Sequence, residues 1–278
     1  MENESILQKS LNSAFKGGIS GSMAMVVNVS TLMWLRTTVN YQYRYGVNTR
    51  NALRNLYRDG GVARFYRGVV PALTLGPLSR FGDTATNSGV LLLLNSKEST
   101  KDMPIFVQTM LASTCAGLYR INLMPIDTIK TTLQVDGNLK SLFAKYRSNG
   151  LRVFYNGSIA SGMATFAGHY PWFTTFNTLN AHLPQYDDGT FKQTVRYGTI
   201  GFCSSVVSDT VSNVVRVVKV NKQAYPKSIT YKKIVTDVIK EKGVLNLLFR
   251  GLKTKILANG IQSIMFSILW KYFEGILA

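Results

Sequence analysis

Three residues near the middle of the chain, Pro125, Asp127 and Lys130, combine chemical types with a spacing that could do chemistry. A proline within an apolar helical run removes a backbone hydrogen bond and bends the helix. Because Asp127 and Lys130 are three residues apart, they lie on one face just past the bend. An acid and a base at the end of an apolar, membrane-length segment indicate a functional role rather than core packing.

Two further stretches repeat this pattern, one on either side. Arg36-Thr37-Thr38-Val39 and Arg216-Val217-Val218-Lys219 align with Lys130-Thr131-Thr132-Leu133. Each is followed by an aromatic residue two positions before a glycine, in Tyr66-Arg67-Gly68, Tyr155-Asn156-Gly157 and Phe249-Arg250-Gly251, and a further glycine precedes each of these elements (Gly61, Gly150 and Gly243). This self-similarity predicts three repeats, 11–95, 104–182 and 193–277, each with an apolar helix, a basic loop with a short amphipathic helix, and a second apolar helix.

The pattern resembles the signature of the mitochondrial carrier family, Pro-x-acid-x-x-base-x-base followed by aromatic-base-Gly. The chain departs from it at Thr132, which holds the last basic place, and at Asn156. The resemblance runs from about Gly17 to about Glu274. It implies a single all-α membrane domain, 1–278, with six transmembrane helices in pseudo-threefold symmetry around a central cavity. Family members exchange small metabolites across the mitochondrial inner membrane by opening alternately to each side.

Composition and charge fit a multi-pass membrane protein. The 278 residues are 46% hydrophobic and only 17% charged, with a net charge of +18. Basic residues concentrate in 36–67, 130–157 and 216–255, between apolar stretches, as the positive-inside rule produces. Hydropathy alone would identify fewer than six transmembrane helices, because only 17–35 and 153–186 are long stretches without a charged residue. A soluble nucleic-acid-binding protein would not need such apolar runs, so no nucleic-acid partner is expected.

No enzyme, metal or cofactor site is expected. Cys115 and Cys203 lie in apolar stretches without metal-ligand spacing, and only two histidines occur. The first residues, with Glu2 and Glu4, read as neither a signal peptide nor a basic targeting segment.

The resemblance implies a matrix-side gate in which the acid of each repeat pairs with the base of the next. The acid places hold Met33, Asp127 and Asn213, and the base places hold Arg36, Lys130 and Arg216. Only the pair from Asp127 to Arg216 can then form, while Lys130 faces Met33 and Arg36 faces Asn213. Asp209, one turn before Asn213, could compensate by meeting Arg36 or Arg120, or could bond to a nearby hydroxyl.

A second gate is implied on the cytosolic side, where each even-numbered helix should carry aromatic-acid-x-x-base. No repeat keeps that acid–base pair, as the corresponding stretches 87–91, 176–180 and 270–274 show. Either asparagines such as Asn177 and Asn180 substitute hydrogen bonds there, or closing is not required.

The substrate contacts implied by the resemblance lie midway through the even-numbered helices. They carry over to Leu75, Gly76, Ala164, Thr165, Ala258 and Asn259, and Arg80 and His169 come one turn later. Arg120, two turns before Asp127, should also point into the cavity. The alternatives are structural: Arg80 could pair with Asp83, Arg120 with Asp209, and His169 could be a packing residue. Two cavity arginines favour a small anion as substrate.

The six repeated glycines are the predicted lipid-binding set. Backbone amides near Gly61, Gly150 and Gly243 could hold lipid phosphates, together with the neighbouring elements that end at Gly68, Gly157 and Gly251. The resemblance points to cardiolipin.

Two hypotheses follow. The chain is either a working carrier for a small anion, or a carrier fold kept as a structural subunit of a large inner-membrane complex of the respiratory type. The intact elements, Asp127, Arg216 and Arg120, favour the carrier, and the degenerate gates favour the structural subunit.

Overall fold

The computed structural model describes residues 2–95, 103–186, 191–225 and 229–277, and within them the chain forms helices and no strand. The first half contains α1 (Glu2–Tyr45), α2 (Thr49–Phe65), α3 (Val69–Asn95), α4 (Ile105–Asn122), α5 (Met124–Asp136) and α6 (Lys140–Asn149). A 3₁₀ turn (Gly150–Tyr155) leads to α7 (Ser158–His182), α8 (Phe191–Ala224), α9 (Tyr231–Phe249) and α10 (Leu252–Leu277). The all-α class predicted from the sequence is therefore confirmed.

The bend predicted at Pro125 appears as a break between α4 and α5. The helix ends at Asn122 and begins again at Met124, so that Pro125 occupies the first turn of α5. Proline is tolerated there because a first-turn N–H has no partner within the helix. Asp127 follows in the same turn, where the positive end of the helix dipole favours a carboxylate.

The long helices close into a ring. Each contacts the next in the order α1, α3, α4, α7, α8 and α10, and α10 returns to α1. The short helices α2, α6 and α9 connect the members of the ring, and α5 continues inward from α4. Among the described residues, none of the helices combines the length and the apolar character that crossing a membrane demands.

The largest apolar core lies at one end of this ring. It brings together Val39 and Tyr43 of α1, Val135 of α5, Val217 of α8 and Ile234 of α9. Since α1, α5 and α8 all finish here, we refer to this end as the clamped end. Packing in this core fixes how far each helix is shifted along its neighbours, and so determines which polar side chains face one another.

Candidate functional site

The site is a central cavity of about 370 Å³, and every helix of the ring contributes to its wall. This volume falls within the range of sites that enclose a small molecule. The predicted contacts Leu75, Gly76, Ala164, Thr165, His169, Ala258, Asn259 and Arg120 all line it. Their role as substrate contacts stays a prediction. The side chains of Arg80 and Asp83 lie outside the described residues.

The charged wall of the cavity is strongly basic. Its basic residues come from α1, α4, α5, α8 and α10 and are Arg36, Arg120, Lys130, Arg216, Lys219 and Lys255. Among the described residues, Asp127 is the carboxylate that lines the same cavity. A wall of this composition attracts anions and repels cations.

Asp127 joins α5 to α8 at the floor of the cavity. Its Oδ1 accepts from the ammonium of Lys130 at 2.6 Å, and its Oδ2 accepts from that of Lys219 at 2.6 Å. Gln223 Nε2 also donates to Oδ2, at 3.0 Å. The predicted partner was Arg216, and this was wrong, because Asp127 lies level with the turn of α8 that carries 219–223. The signal in the sequence was Lys219 itself, one turn beyond Arg216 on the same face.

Neutral hydrogen bonds occupy the two other places between these helices. Asn40 of α1 donates to Gln134 of α5 at 2.5 Å, and the Tyr43 hydroxyl of α1 donates to Asn213 of α8 at 2.9 Å. Thus α1, α5 and α8 are joined pairwise, and of these three links between described residues the one from α5 to α8 is ionic.

The remaining residues assigned to the gate have partners that differ from those predicted. Lys130 pairs with Asp127 in its own helix, and the Met33 sulfur instead accepts from Gln134 at 3.6 Å. Asn213 bonds to Tyr43, while Arg36 donates to Gln262 of α10 at 2.7 Å. These places were carried over from the family's gate pattern, and a position in the sequence does not fix how far one helix is shifted along its neighbour.

Asp209 lies behind the cavity wall. It is only 4% exposed, and its Oδ2 accepts a hydrogen bond from the side-chain amide of Asn259 on α10. Arg120, one of its two predicted partners, donates to the Ser79 hydroxyl at 3.2 Å. The hydrogen-bond donor found for Asp209 is thus an amide, which the sequence did not suggest.

Three buried cations hold the carbonyl ends of α1, α5 and α8, and we call them the carbonyl clamp: Arg64, Lys145 and Arg250. Arg64 of α2 donates to Gln134 O and Val135 O at 3.0 and 2.7 Å. Lys145 of α6 donates to Gln223 O and Tyr225 O at 2.7 and 2.9 Å. Arg250 donates to Gln42 O and Arg44 O at 3.0 and 2.7 Å.

The carbonyl clamp satisfies acceptors that a helix end otherwise leaves without partners, and it places positive charge at the negative end of each dipole. Its members are 1%, 3% and 4% exposed. Burial lowers the pKa of the Lys145 ammonium below its usual value. Sequence reasoning missed the clamp because its members occupy different places in their repeats.

The repeated glycines divide into two sets by their surroundings. A Cβ added at Gly68 or Gly157 would lie 3.0 Å from Lys130 O or 3.3 Å from Lys219 O, so these glycines permit close packing against the next helix. At Gly251 it would meet the Tyr43 ring at 2.9 Å. At Gly61, Gly150 and Gly243 no atom lies within 4 Å.

The opposite end of the ring is described only in part. Arg196 of α8 is 6% exposed and donates to Asn180 Oδ1, Asn180 O and Leu183 O at 2.8, 2.7 and 3.2 Å. This joins α8 to the end of α7. Of the predicted cytosolic gate, most side chains of 87–91 and those of Trp270, Lys271 and Glu274 lie outside the described residues.

Comparison with known proteins gives consistent results. A family model for mitochondrial carrier proteins matches residues 102–187. A mitochondrial carrier-like protein of Acanthamoeba polyphaga mimivirus is 27% identical over 164 residues, which are 59% of this chain and 64% of that protein. A calcium-binding mitochondrial carrier of Saccharomyces cerevisiae is 31% identical over 158 residues, which are 48% of this chain and 29% of that protein.

A mitochondrial S-adenosylmethionine carrier of Xenopus laevis is 25% identical over 169 residues, 60% of either chain. This chain thus spans less than two thirds of the length of each of these relatives. The matched family model includes the break at Pro125 and the acid–base stretch at the cavity floor. These matches support membership of the mitochondrial carrier family.

Proposed function

We propose that this chain is a multi-pass solute carrier of the mitochondrial inner membrane that exchanges a small anionic metabolite by alternating access. The observation that carries this proposal is the cavity, about 370 Å³ in volume, with six basic residues and one described carboxylate in its wall. An excess of cations around a space of this size favours a solute with negative charge.

The cations differ in how they are bonded. Asp127 is engaged by Lys130 and Lys219. Arg216 and Lys255 donate to neutral groups, Ser212 Oγ and Asn259 Oδ1, each at 3.1 Å. Because a neutral acceptor does not cancel the charge of its donor, the wall retains a positive potential that an anion would meet on entry.

The contacts of the short helices support a threefold arrangement of the three repeats. Arg64 in 11–95 holds the end of α5, Lys145 in 104–182 holds the end of α8, and Arg250 in 193–277 holds the end of α1. Each repeat therefore clamps the following one, and the third clamps the first.

A lipid environment is supported by the outer surface. Large apolar side chains point away from the cavity on the second helix of a repeat, among them Val70 at 72% and Ile264 at 64% exposed. The open surroundings of Gly61, Gly150 and Gly243 leave room for a lipid headgroup beside the backbone. We include cardiolipin as a lipid partner on this basis.

Exchange in liposomes tests the proposal directly. The purified chain is reconstituted with one labelled solute inside, and efflux is started with the same solute outside. Phosphate, malonate and ATP are tried in turn as anions, and S-adenosylmethionine as the cation, since one relative is named for that ligand. We expect exchange with at least one anion. Protein-dependent exchange confined to cationic solutes would contradict the assigned substrate class.

Asp127→Asn separates a moving gate from a static fold. The substitution removes the charge that holds Lys130 and Lys219, so the clamped end should open more readily and the exchange rate should change by about tenfold. Asp237→Asn, on α9 outside the cavity, serves as the matched control, since an amide oxygen can still accept the hydrogen bond from the Tyr225 hydroxyl. Exchange by Asp127→Asn at the wild-type rate would show that this ion pair does not gate transport.

The alternative is a structural subunit of a large inner-membrane complex. The observation that favours it is that only one of the three links between α1, α5 and α8 is ionic, so the ring of charged pairs expected of a gate is absent from the described residues. Native electrophoresis of mildly solubilised mitochondrial membranes, with mass-spectrometric identification, separates the two. Migration near the size of a single chain favours the carrier, and stoichiometric migration with a large complex favours the subunit.

A further inference from the structure

One side chain of the cavity wall was not assigned a role by its place in the repeat. Lys255 lies in the first turn of α10, one turn before the predicted contacts Ala258 and Asn259, and it lines the cavity. From the sequence it is only a charge at the border of an apolar run. The structure gives it a fixed position.

Two hydrogen bonds through Asn259 hold Lys255 in place. Its Nζ donates to Asn259 Oδ1 at 3.1 Å, while Asn259 Nδ2 donates to Asp209 Oδ2 on α8. Because both ends of the Asn259 amide are used, its orientation is determined. The ammonium of Lys255 keeps donors that this chain of bonds does not use.

Asp209 acts from behind the wall. It is 4% exposed and borders a void of about 10 Å³ on the far side of Asn259, whereas Asn259 borders both this void and the main cavity. Its carboxylate orients Asn259 and offsets part of the Lys255 charge without presenting a negative group to a solute. An anion could therefore approach Lys255 from the cavity side.

Cations from other helices face the same space. Arg36 of α1 and Arg216 of α8 line the cavity and lie within electrostatic reach of Lys255. Like charges gathered in a partly enclosed site raise the free energy of the empty state, and an anion between them relieves that repulsion.

We propose that Lys255, Arg216 and Arg36 form an anion subsite at the cavity wall that takes a phosphate or carboxylate group of the transported solute, and that Asp209 positions Lys255 through Asn259. This rests on the proposed function and deepens it, since it names the groups that select the solute. Three cations from three helices suit a group or molecule with two negative charges better than a singly charged one.

Ligand-dependent stabilisation of the detergent-solubilised chain tests the subsite without requiring transport. Thermal unfolding is followed against inorganic phosphate and malonate, with chloride at equal ionic strength as reference. We expect a saturable rise in Tm for the wild type with one or both anions. In Lys255→Met the apparent affinity should fall at least about tenfold, since a charge-assisted hydrogen bond is lost.

Matched variants separate the subsite from general stability. Lys255→Arg should stay within about threefold of the wild-type affinity, since it keeps the charge, and Lys253→Met, an exposed lysine two residues away, should leave the affinity unchanged. Asp209→Asn should weaken anion affinity by about threefold to tenfold, because Lys255 loses its orientation rather than its charge. Rescue by Lys255→Arg also excludes misfolding as the cause of the loss in Lys255→Met.

The outcomes distinguish the two proposals. If the wild type exchanges anions in liposomes but Lys255→Met binds them with wild-type affinity, the subsite is wrong and the carrier proposal stands. If the wild type neither binds an anion nor exchanges one, the carrier proposal fails and the subsite with it. An equal loss of affinity in Lys253→Met would also overturn the subsite, because the effect would then be one of net charge.

Discussion

The two ends of the helix ring are held by the same chemistry over very different distances along the chain. At the clamped end, Arg64, Lys145 and Arg250 reach carbonyls 70, 78 and 208 residues away. At the opposite end, Arg196 reaches Asn180, 16 residues away. All four are buried cations on the carbonyl ends of helices. The first three tie together helices that are far apart in the sequence, whereas Arg196 ties a helix to its immediate predecessor.

This difference assigns different roles to the two ends. Contacts between distant parts of the chain restrict how α1, α5 and α8 move relative to one another, so opening the clamped end requires several buried polar bonds to break. The contact of Arg196 can persist while α7 and α8 move together as a pair. On the proposed carrier function, this conformation is closed at the clamped end, and the solute would enter from the other end.

The largest expected effect is at the carbonyl clamp. In Arg64→Met the carbonyls of Gln134 and Val135 lose their charged donor, and water cannot readily enter this buried site to replace it. The free energy of unfolding should therefore fall by about 3 kcal/mol. Thermal or denaturant unfolding of the detergent-solubilised chain, followed by circular dichroism, measures this. The exposed Arg58→Met on the same helix should stay within about 0.5 kcal/mol of wild type. Equal stability of the two variants would show that the clamp does not hold this end.

A smaller effect is expected from the glycines that pack beneath the clamp. Gly68 and Gly157 have matching positive φ, 87° and 88°, so alanine should cost about 1 kcal/mol at either from backbone strain alone. At Gly68 the new methyl group would also lie 3.0 Å from Lys130 O, and this should add about 1 kcal/mol or more.

The comparison between the two alanine variants isolates close packing from strain. Gly157→Ala is the matched variant, because its added Cβ would lie 3.3 Å from the nearest backbone oxygen, a milder contact than the 3.0 Å at Gly68. The melting temperatures of the two variants give the difference. If Gly157→Ala were the less stable, the approach of α3 to α5 would not depend on the missing side chain.

Sequence reasoning succeeded where local physics decides. The bend at Pro125 follows from a proline within an apolar run, which acts within a turn or two of the chain. It also placed Arg120 at the cavity, because helical spacing fixes which residues share a face, whereas Asn259 was placed there by the family resemblance.

The sequence could not supply the partners of these residues. Asp127 meets Lys219 rather than Arg216 because the apolar core sets the level of α5 against α8, and a shift of one turn exchanges one base for another. The roles of Lys145 and Arg250 could not be inferred from the sequence for a different reason. Their acceptors are backbone carbonyls, which every residue carries, so no side-chain pattern points to them.

The smallest effect is expected at the opposite end, where a single substitution tests whether the contact of Arg196 contributes less stability than the carbonyl clamp. Asn180→Ala removes one acceptor of Arg196, but Asn180 O and Leu183 O remain at 2.7 and 3.2 Å. The free energy of unfolding should therefore fall by about 1 kcal/mol or less. Asn177→Ala, at an exposed position one turn earlier on α7, is the control and should match the wild type. A loss in Asn180→Ala as large as that in Arg64→Met would mean that the local contact carries as much of the fold as the long-range clamp. The two ends would then be equally closed, and entry from the end that carries Arg196 would have no structural basis.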